Sequence, residues 1–294
     1  MKLIFLGCGY LGYNLSEQLS KYYDVQVIGL DSPYTKLSNK FTYLDAFNDE
    51  FPNDFEDAII VDTITIVSNN SKSENEEEKL LQLNKLYQNL FNKLKVKKIK
   101  KYYFLSSGGT IYGDSSTPIL ETAQLNPKTL YAKSKVMLEE LLAKSGLNYV
   151  VFRLSNPYGG YQVTDKKQGV IPIYIERTLK NEEFELWGTS HTVRDYIYID
   201  DFAKAIHLCI EKDISNETLN IGSGVGSSLQ DIFNEVEKDT QLKTKVKTIP
   251  SDVPIVESIV LDITKLKQLT GFEPKVSLSE GIKKEIQRIQ EELV

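Results

Sequence analysis

Lys2-Leu3-Ile4-Phe5-Leu6-Gly7-Cys8-Gly9-Tyr10-Leu11-Gly12 is the stretch that decides the fold. Residues 2–6 are an apolar run too short for a helix, and they read as a buried strand. Three glycines follow at G-x-G-x-x-G spacing. Then Leu11, Leu15, Leu19 and Tyr22 recur at intervals of three or four, the period of a helix. A bare glycine motif is weak evidence, but strand, glycine turn and helix in that order give it context. The glycines permit a tight turn, a close approach by a pyrophosphate, and close packing of helix on strand. The helix N-terminus offers free N–H groups and positive potential to the phosphates. Asp31 stands 19 positions past Gly12, at the end of a second apolar run over residues 25–30. A carboxylate there accepts both hydroxyls of an adenosine ribose and repels a 2′-phosphate, which predicts NAD rather than NADP. The expected cofactor contacts are Gly7, Gly9, Tyr10, Leu11, Gly12 and Asp31. The plain alternative is an ordinary glycine turn with a solvated Asp31.

Working outward, residues 58–61, 102–105 and 149–154 read as further strands. Residues 74–96 form a long amphipathic helix with Leu80, Leu83, Tyr87, Leu90 and Leu94 on one stripe, and a second helix runs from about 130 to the Ser145-Gly146 stop. Strands alternating with helices predict an α/β fold: a doubly wound parallel sheet of Rossmann type, with helices on both faces. Past Asn156 the pattern turns irregular and rich in Gly, Pro and Tyr. The expected division is a dinucleotide-binding domain over 1–155, to which the chain returns at about 194–213. Residues 156–294 then form mainly a smaller mixed α/β region for substrate. Helices are also expected over 200–212 and 279–293.

Length and composition agree. At about 150 residues per domain, 294 residues make about two domains. With 41% apolar and 26% charged residues, the chain is neither disordered nor collagen-like. Thirty-five basic against 41 acidic residues give a net charge of −6, which argues against a general nucleic-acid binder. No apolar stretch reaches membrane-spanning length. Only Cys8 and Cys209, and only His191 and His207, are present. That rules out a disulfide framework and a histidine-rich metal centre, so no metal is expected. The two cysteines, with an opening run too short for a signal peptide, predict a reducing cytoplasm.

Tyr131 and Lys135 are spaced i, i+4 on the second long helix, so they share a face. An ammonium near a phenol favours phenolate, which can act as general base on a sugar or alcohol hydroxyl. Spacing alone says little. Seventeen tyrosines and 35 basic residues in 294 positions yield roughly two such pairs by chance. Two occur, the other being Tyr149 and Arg153 on an apolar strand, where a structural role is expected. Position separates them. Ser106-Ser107-Gly108-Gly109-Thr110 closes a strand two dozen residues before Tyr131, and ligands bind parallel sheets at the C-terminal ends of strands.

Together these residues resemble the extended short-chain dehydrogenase/reductase superfamily, in its sugar-nucleotide epimerase/dehydratase branch, nearest to UDP-glucose 4-epimerase-like enzymes. The likeness covers nearly the whole chain. It also rests on Ile111-Tyr112-Gly113, Arg153-Leu154-Ser155-Asn156-Pro157-Tyr158-Gly159, Trp187-Gly188, Val193-Arg194-Asp195-Tyr196-Ile197, Asn220-Ile221-Gly222-Ser223-Gly224 and Gly271-Phe272-Glu273-Pro274. The resemblance implies roles. Tyr131 would be acid and base, and Lys135 would orient the nicotinamide ribose and tune Tyr131. Ser107, or Thr110 in its place, would supply the catalytic hydroxyl. Asn156 would line the nucleotide-sugar site. Arg194 would grip the diphosphate, its alternative being a surface ion pair with Asp195 or Asp200. A homodimer is implied too, with the stripe on residues 74–96 either serving it or simply packing on the sheet.

Three departures stand out. The family's glycine loop usually runs G-x-x-G-x-x-G, and Leu6 holds its first position. Many family epimerases carry a hydroxyl where this chain has Gly108. Val61-Asp62-Thr63-Ile64-Thr65 is unlike the small-residue turn usual there. The serine loop also lacks the acidic pair with which 4,6-dehydratases eliminate water. The expected reaction is NAD-dependent epimerisation of a nucleotide-diphosphate sugar, most readily UDP-linked, through a 4-keto intermediate. The rivals are a keto-sugar reductase or other oxidoreductase on the same scaffold, and a non-catalytic dinucleotide sensor.

Overall fold

The computed structural model describes residues 1–68, 75–162, 169–250 and 256–293. Its centre is a seven-stranded sheet whose strands are all parallel. The strands are β1 (Lys2–Leu6), β2 (Asp24–Gly29), β3 (Phe41–Tyr43), β4 (Ile59–Asp62), β5 (Lys101–Ser107), β6 (Tyr149–Leu154) and β10 (Glu217–Ile221), in the spatial order β10-β6-β5-β4-β1-β2-β3. The chain winds outward from β1 in one direction through β2 and β3, and in the other through β4, β5 and β6. That reversal between β1 and β4 is where a doubly wound sheet opens a crevice for ligands.

Burial on both faces explains the apolar strand sequences. Along β1, Leu3 and Phe5 pack on one side with Tyr103, Phe152 and Phe202. Ile4 and Leu6 pack on the other with Ile60, Tyr102 and Phe104. The first face is covered by α1 (Tyr10–Leu19) and α6 (Ile199–Glu211), the second by α2 (Glu76–Val96) and α4 (Leu130–Ala143). The predicted start of α2 at Glu74 lies outside the described residues. Its stripe of Leu83, Tyr87, Leu90 and Leu94 is buried in the second core, with Leu80 partly so. The sheet therefore takes that face, and it is not available to a second copy of the chain.

After β6 the chain builds smaller sheets. A four-stranded one has β9 (Val193–Tyr198) paired with β7 (Asn156–Tyr158), β11 (Gly226–Ser228) and β13 (Ser258–Ile259), and a two-stranded one pairs β8 (Phe184–Trp187) with β12 (Val246–Ile249). Helices α5 (Val170–Leu179), α7 (Leu229–Thr240), α8 (Thr264–Thr270) and α9 (Leu278–Leu293) surround them. Between β9 and β11 the chain rejoins the large sheet as α6 and β10, whose Asn220 pairs with Arg153 of β6. The stretch after β5, expected to be a Ser/Gly loop, is a single helical turn, α3 (Gly108–Ile111). Among the described residues no helix is long and apolar enough to cross a membrane.

Candidate active site

The glycine turn comes first in the chain and first in the crevice. Gly7 has φ +96°, a left-handed conformation that a Cβ would strain. Its N–H donates to the Ile28 carbonyl at 2.8 Å, which ties the turn to β2. A Cβ on Gly12 would stand 2.1 Å from the Gly7 carbonyl oxygen, so that glycine is what lets α1 pack against the turn. Gly9 differs. It is the residue that precedes α1, and a Cβ there would meet nothing within 4 Å. No side chain caps the helix start and no acidic residue sits in its first turn. These features fit a pyrophosphate: an open approach to uncapped N–H groups at a positive helix end.

Asp31 is exposed, two residues beyond the end of β2, and Ser32 donates to the Cys8 carbonyl beside it. Burial pushes the Cys8 thiol up to about 11, so the turn's one sulfur is a packing group rather than a nucleophile. The Tyr10 side chain also has a structural partner. Its phenol donates to the Gly159 carbonyl at 2.8 Å and ties α1 to the strand-and-loop region after β6.

Next to the turn lies a cavity of about 220 Å³. Leu11, Thr63 and Thr65 line one side. Ser106, Ser107, Gly109, Thr110, Tyr131 and Lys135 line another, and residues 154–157 close it. The structure thus brings together Leu11, Ser107, Thr110, Tyr131, Lys135 and Asn156. Gly7, Gly9, Gly12, Tyr10, Asp31 and Arg194 are not among the lining residues. Gly108 is absent as well, and a Cβ there would stand 2.6 Å from Leu261 Cδ1 and 3.0 Å from the Arg153 carbonyl oxygen. Gly108 is packed against the layer behind β5, so the cavity's hydroxyls come from its neighbours.

Tyr131 is placed by a helix cap. Thr129 precedes α4 in an extended conformation, and its side chain accepts the Ala132 N–H at 3.1 Å. Ser107 lies close enough to the Tyr131 phenol to lower its pKa, and Thr110 Oγ1 donates to Ser107 Oγ at 2.9 Å. Three hydroxyls therefore stand in a row at the end of β5. Burial pushes the Tyr131 phenol above its ordinary range, with Ser107 opposing. This corrects the expectation that Lys135 lowers it. Lys135 Nζ lies 5.7 Å from the Tyr131 ring centroid, but it donates to the Leu105 carbonyl at 2.8 Å and sits over the Phe104 ring. Burial also pulls Lys135 down, and Asp62 and Glu139 work against that.

Behind this wall runs a buried network. Glu139 of α4 accepts from Ser106 and from Arg153, whose Nη2 is 2.7 Å away. Arg153 Nη1 donates to the Tyr112 phenol and to the Glu121 carbonyl, both at 2.9 Å, and Tyr112 donates to Asn220 at 2.7 Å. Arg153, the basic member of the second Tyr–basic pair, is thus structural.

Asn156 faces the cavity, with its Nδ2 donating to the Asp195 carbonyl at 3.0 Å. Arg194 pairs with neither Asp195 nor Asp200. Its guanidinium donates to the carbonyls of Val193 and Val256 at 2.8 Å each. Asp195 is fully buried and accepts from Ser223 and from the Gly224 N–H. Thr63, Thr65 and Ser155 are lining residues that the sequence reading missed. The first two fall in the segment already marked as atypical, and Ser155 stands one position before Asn156.

With this geometry the family match is direct. The chain belongs to the NAD dependent epimerase/dehydratase family, whose sequence profile matches residues 5–222. Over 199 residues it is 35% identical to dTDP-4-dehydro-6-deoxyglucose reductase of Escherichia coli, covering 65% of this chain and 62% of that one. Over 201 residues it is 32% identical to a putative UDP-glucose 4-epimerase of Methanocaldococcus jannaschii, covering 67% and 65%. Each match spans somewhat less than two thirds of the relative's own length. In structure, the chain is similar over its full length to UDP-glucose 4-epimerase of Thermotoga maritima solved with UDP-glucose. The TM-score is 0.87, the identity 28%, and each chain is covered completely.

Proposed function

We propose that this protein is an NAD-dependent 4-epimerase of a nucleotide-diphosphate sugar, with a UDP-hexose as substrate. The observation that carries the reading is the row Thr110–Ser107–Tyr131 facing a cavity beside the glycine turn. The turn of Gly7, Gly9 and Gly12, the first turn of α1 with Tyr10 and Leu11, and Asp31 would hold the dinucleotide. When bound, the nicotinamide supplies the redox chemistry, a reversible hydride exchange with the sugar C4.

The protein's own part is acid–base work and positioning. Tyr131 Oη, once ionised, takes the proton of the C4 hydroxyl and later returns it. Burial raises the pKa of that phenol, and a positive charge held in the cavity would lower it. Ser107 orients the C4 oxygen, and Thr110 orients Ser107. Lys135, already desolvated, has donors left for ribose hydroxyls beyond its bond to Leu105. Asn156 holds the sugar. Arg194 joins only if its carbonyl partners, Val193, Val256 and Glu257, release it to a diphosphate.

A second reading, a keto-sugar reductase, is favoured by the 35% identity to the Escherichia coli reductase. Both use the same half-reaction and differ in whether the cofactor is consumed. The experiment is a panel of UDP- and dTDP-sugars, with products resolved by chromatography and NADH followed at 340 nm. Equilibration of a C4 epimer pair without net NADH change is expected. Steady NADH consumption with a 4-keto sugar would replace the epimerase by the reductase. Turnover of no sugar would leave the dinucleotide sensor.

A further inference from the structure

The segment after β4, atypical for the family, contributes to the glycine turn. Asp62 is 1% exposed at the end of β4. Its carboxylate accepts the phenols of Tyr102 at 2.6 Å and Tyr87 at 3.0 Å, and the Ile64 N–H at 2.9 Å. The last of these closes an Asx-type turn around Thr63. Thr63 thereby faces the glycine turn. Its Oγ1 lies 2.9 Å from the carbonyl oxygens of both Leu6 and Gly7, and its N–H donates to Leu6 at 2.9 Å. A hydroxyl has one hydrogen, which here is shared between two carbonyls. The same oxygen would be 2.8 Å from a Cβ on Gly12. The end of β1, the left-handed Gly7 and the first turn of α1 therefore meet at one side-chain oxygen.

We propose that Thr63 is a positioning residue of the dinucleotide site: its hydroxyl clamps the Leu6 and Gly7 carbonyls and so fixes the aim of the α1 N-terminus. Leu6 stands where the family's loop has its first glycine, so the turn gets from across the sheet a restraint that its own sequence does not carry. Asp62, fixed by two phenols, keeps Thr63 in place. The inference rests on the NAD reading above, and its test separates the two.

NAD affinity is measured by isothermal titration, without turnover, for the wild type and for Thr63→Val, Thr63→Ala and Thr63→Ser, with thermal melts alongside. Valine keeps the branched shape without the hydroxyl, alanine removes the group without placing a methyl against Gly7, and serine keeps the hydroxyl. The valine and alanine variants are expected to bind NAD about tenfold more weakly, the loss of one hydrogen bond's worth, and the serine variant to stay within about twofold of wild type. Serine rescue is what a purely steric role does not give. Wild-type affinity in the alanine variant, or a serine variant as weak as alanine, would overturn the clamp. If the valine variant does not melt cooperatively, the alanine and serine pair decides. Absence of NAD binding by the wild type would defeat the cofactor reading instead.

Discussion

The lip of the crevice formed by β1 and α1 is shaped by backbone: a left-handed Gly7, a Gly12 with no room for a methyl group, and an open Gly9. The lip formed by β5, α4 and β6 is shaped by buried side chains: Tyr131 and Ser107 in front, and Glu139, Arg153, Tyr112 and Asn220 behind. One lip offers N–H groups and empty space to a ligand, and the other offers titratable oxygens held in a dry wall. A substitution on the first should act through shape and binding. A substitution on the second should act through charge, on chemistry where it touches the cavity and on stability where it does not.

The largest effect expected is on the side-chain lip. Tyr131→Phe removes the proton-transfer group, which contributes on the order of 10²- to 10⁴-fold in rate. With an identified sugar substrate, kcat should fall by at least the lower figure, while the melting curve and NAD affinity stay near wild type. Near-native turnover would remove Tyr131 from the mechanism and leave the wall without its chemical purpose. Next is the network behind it. Arg153 and Glu139 are 9% and 8% exposed. Arg153→Met would strand a buried carboxylate, a loss on the order of 3–5 kcal/mol by analogy with other broken buried pairs. Urea unfolding measures it. A loss well under 1 kcal/mol would mean that Glu139 takes its bonds from Ser106 or water and that the wall is less dry than its geometry implies.

How much of this was legible in the sequence follows the same division. β1, the glycine turn and α1 were readable because strand, turn and helix each leave a local period, and the roles of Gly7 and Gly12 depend on neighbours within a few residues. α2 and α4 were readable as long amphipathic helices. The small sheets were not. β7, β11 and β13 have two or three residues each, too few for any alternation to show, and they pair across long sequence separations. The site divides in the same way. Tyr131, Lys135, Ser107, Thr110 and Asn156 reach one cavity, as their places at strand ends and on one helix face implied. That Gly108 packs against Leu261, far away in sequence, left no local signal. Thr63 looked like an anomaly because its partners, Leu6 and Gly7, lie 57 and 56 residues before it. The direction of the Tyr131 shift was misjudged for a related reason: spacing shows that Lys135 is near but not that its ammonium is turned to Leu105.

The smallest effects belong to the backbone lip, and they divide it internally. Gly12→Ala places a methyl 2.1 Å from a carbonyl oxygen that cannot swing away, so α1 must shift, at a cost of about 1–3 kcal/mol. Gly9→Ala meets nothing within 4 Å, and its extended backbone, with φ −90°, suits alanine. Its stability should stay within about 0.5 kcal/mol of wild type. Yet both variants should bind NAD more weakly, the first because the turn is displaced and the second because a methyl stands where the pyrophosphate approaches. Urea midpoints and NAD titrations on the two proteins separate fold from ligand at neighbouring positions. A Gly9→Ala variant with wild-type NAD affinity would move the pyrophosphate off the α1 N-terminus, and the backbone lip would then be a packing device only.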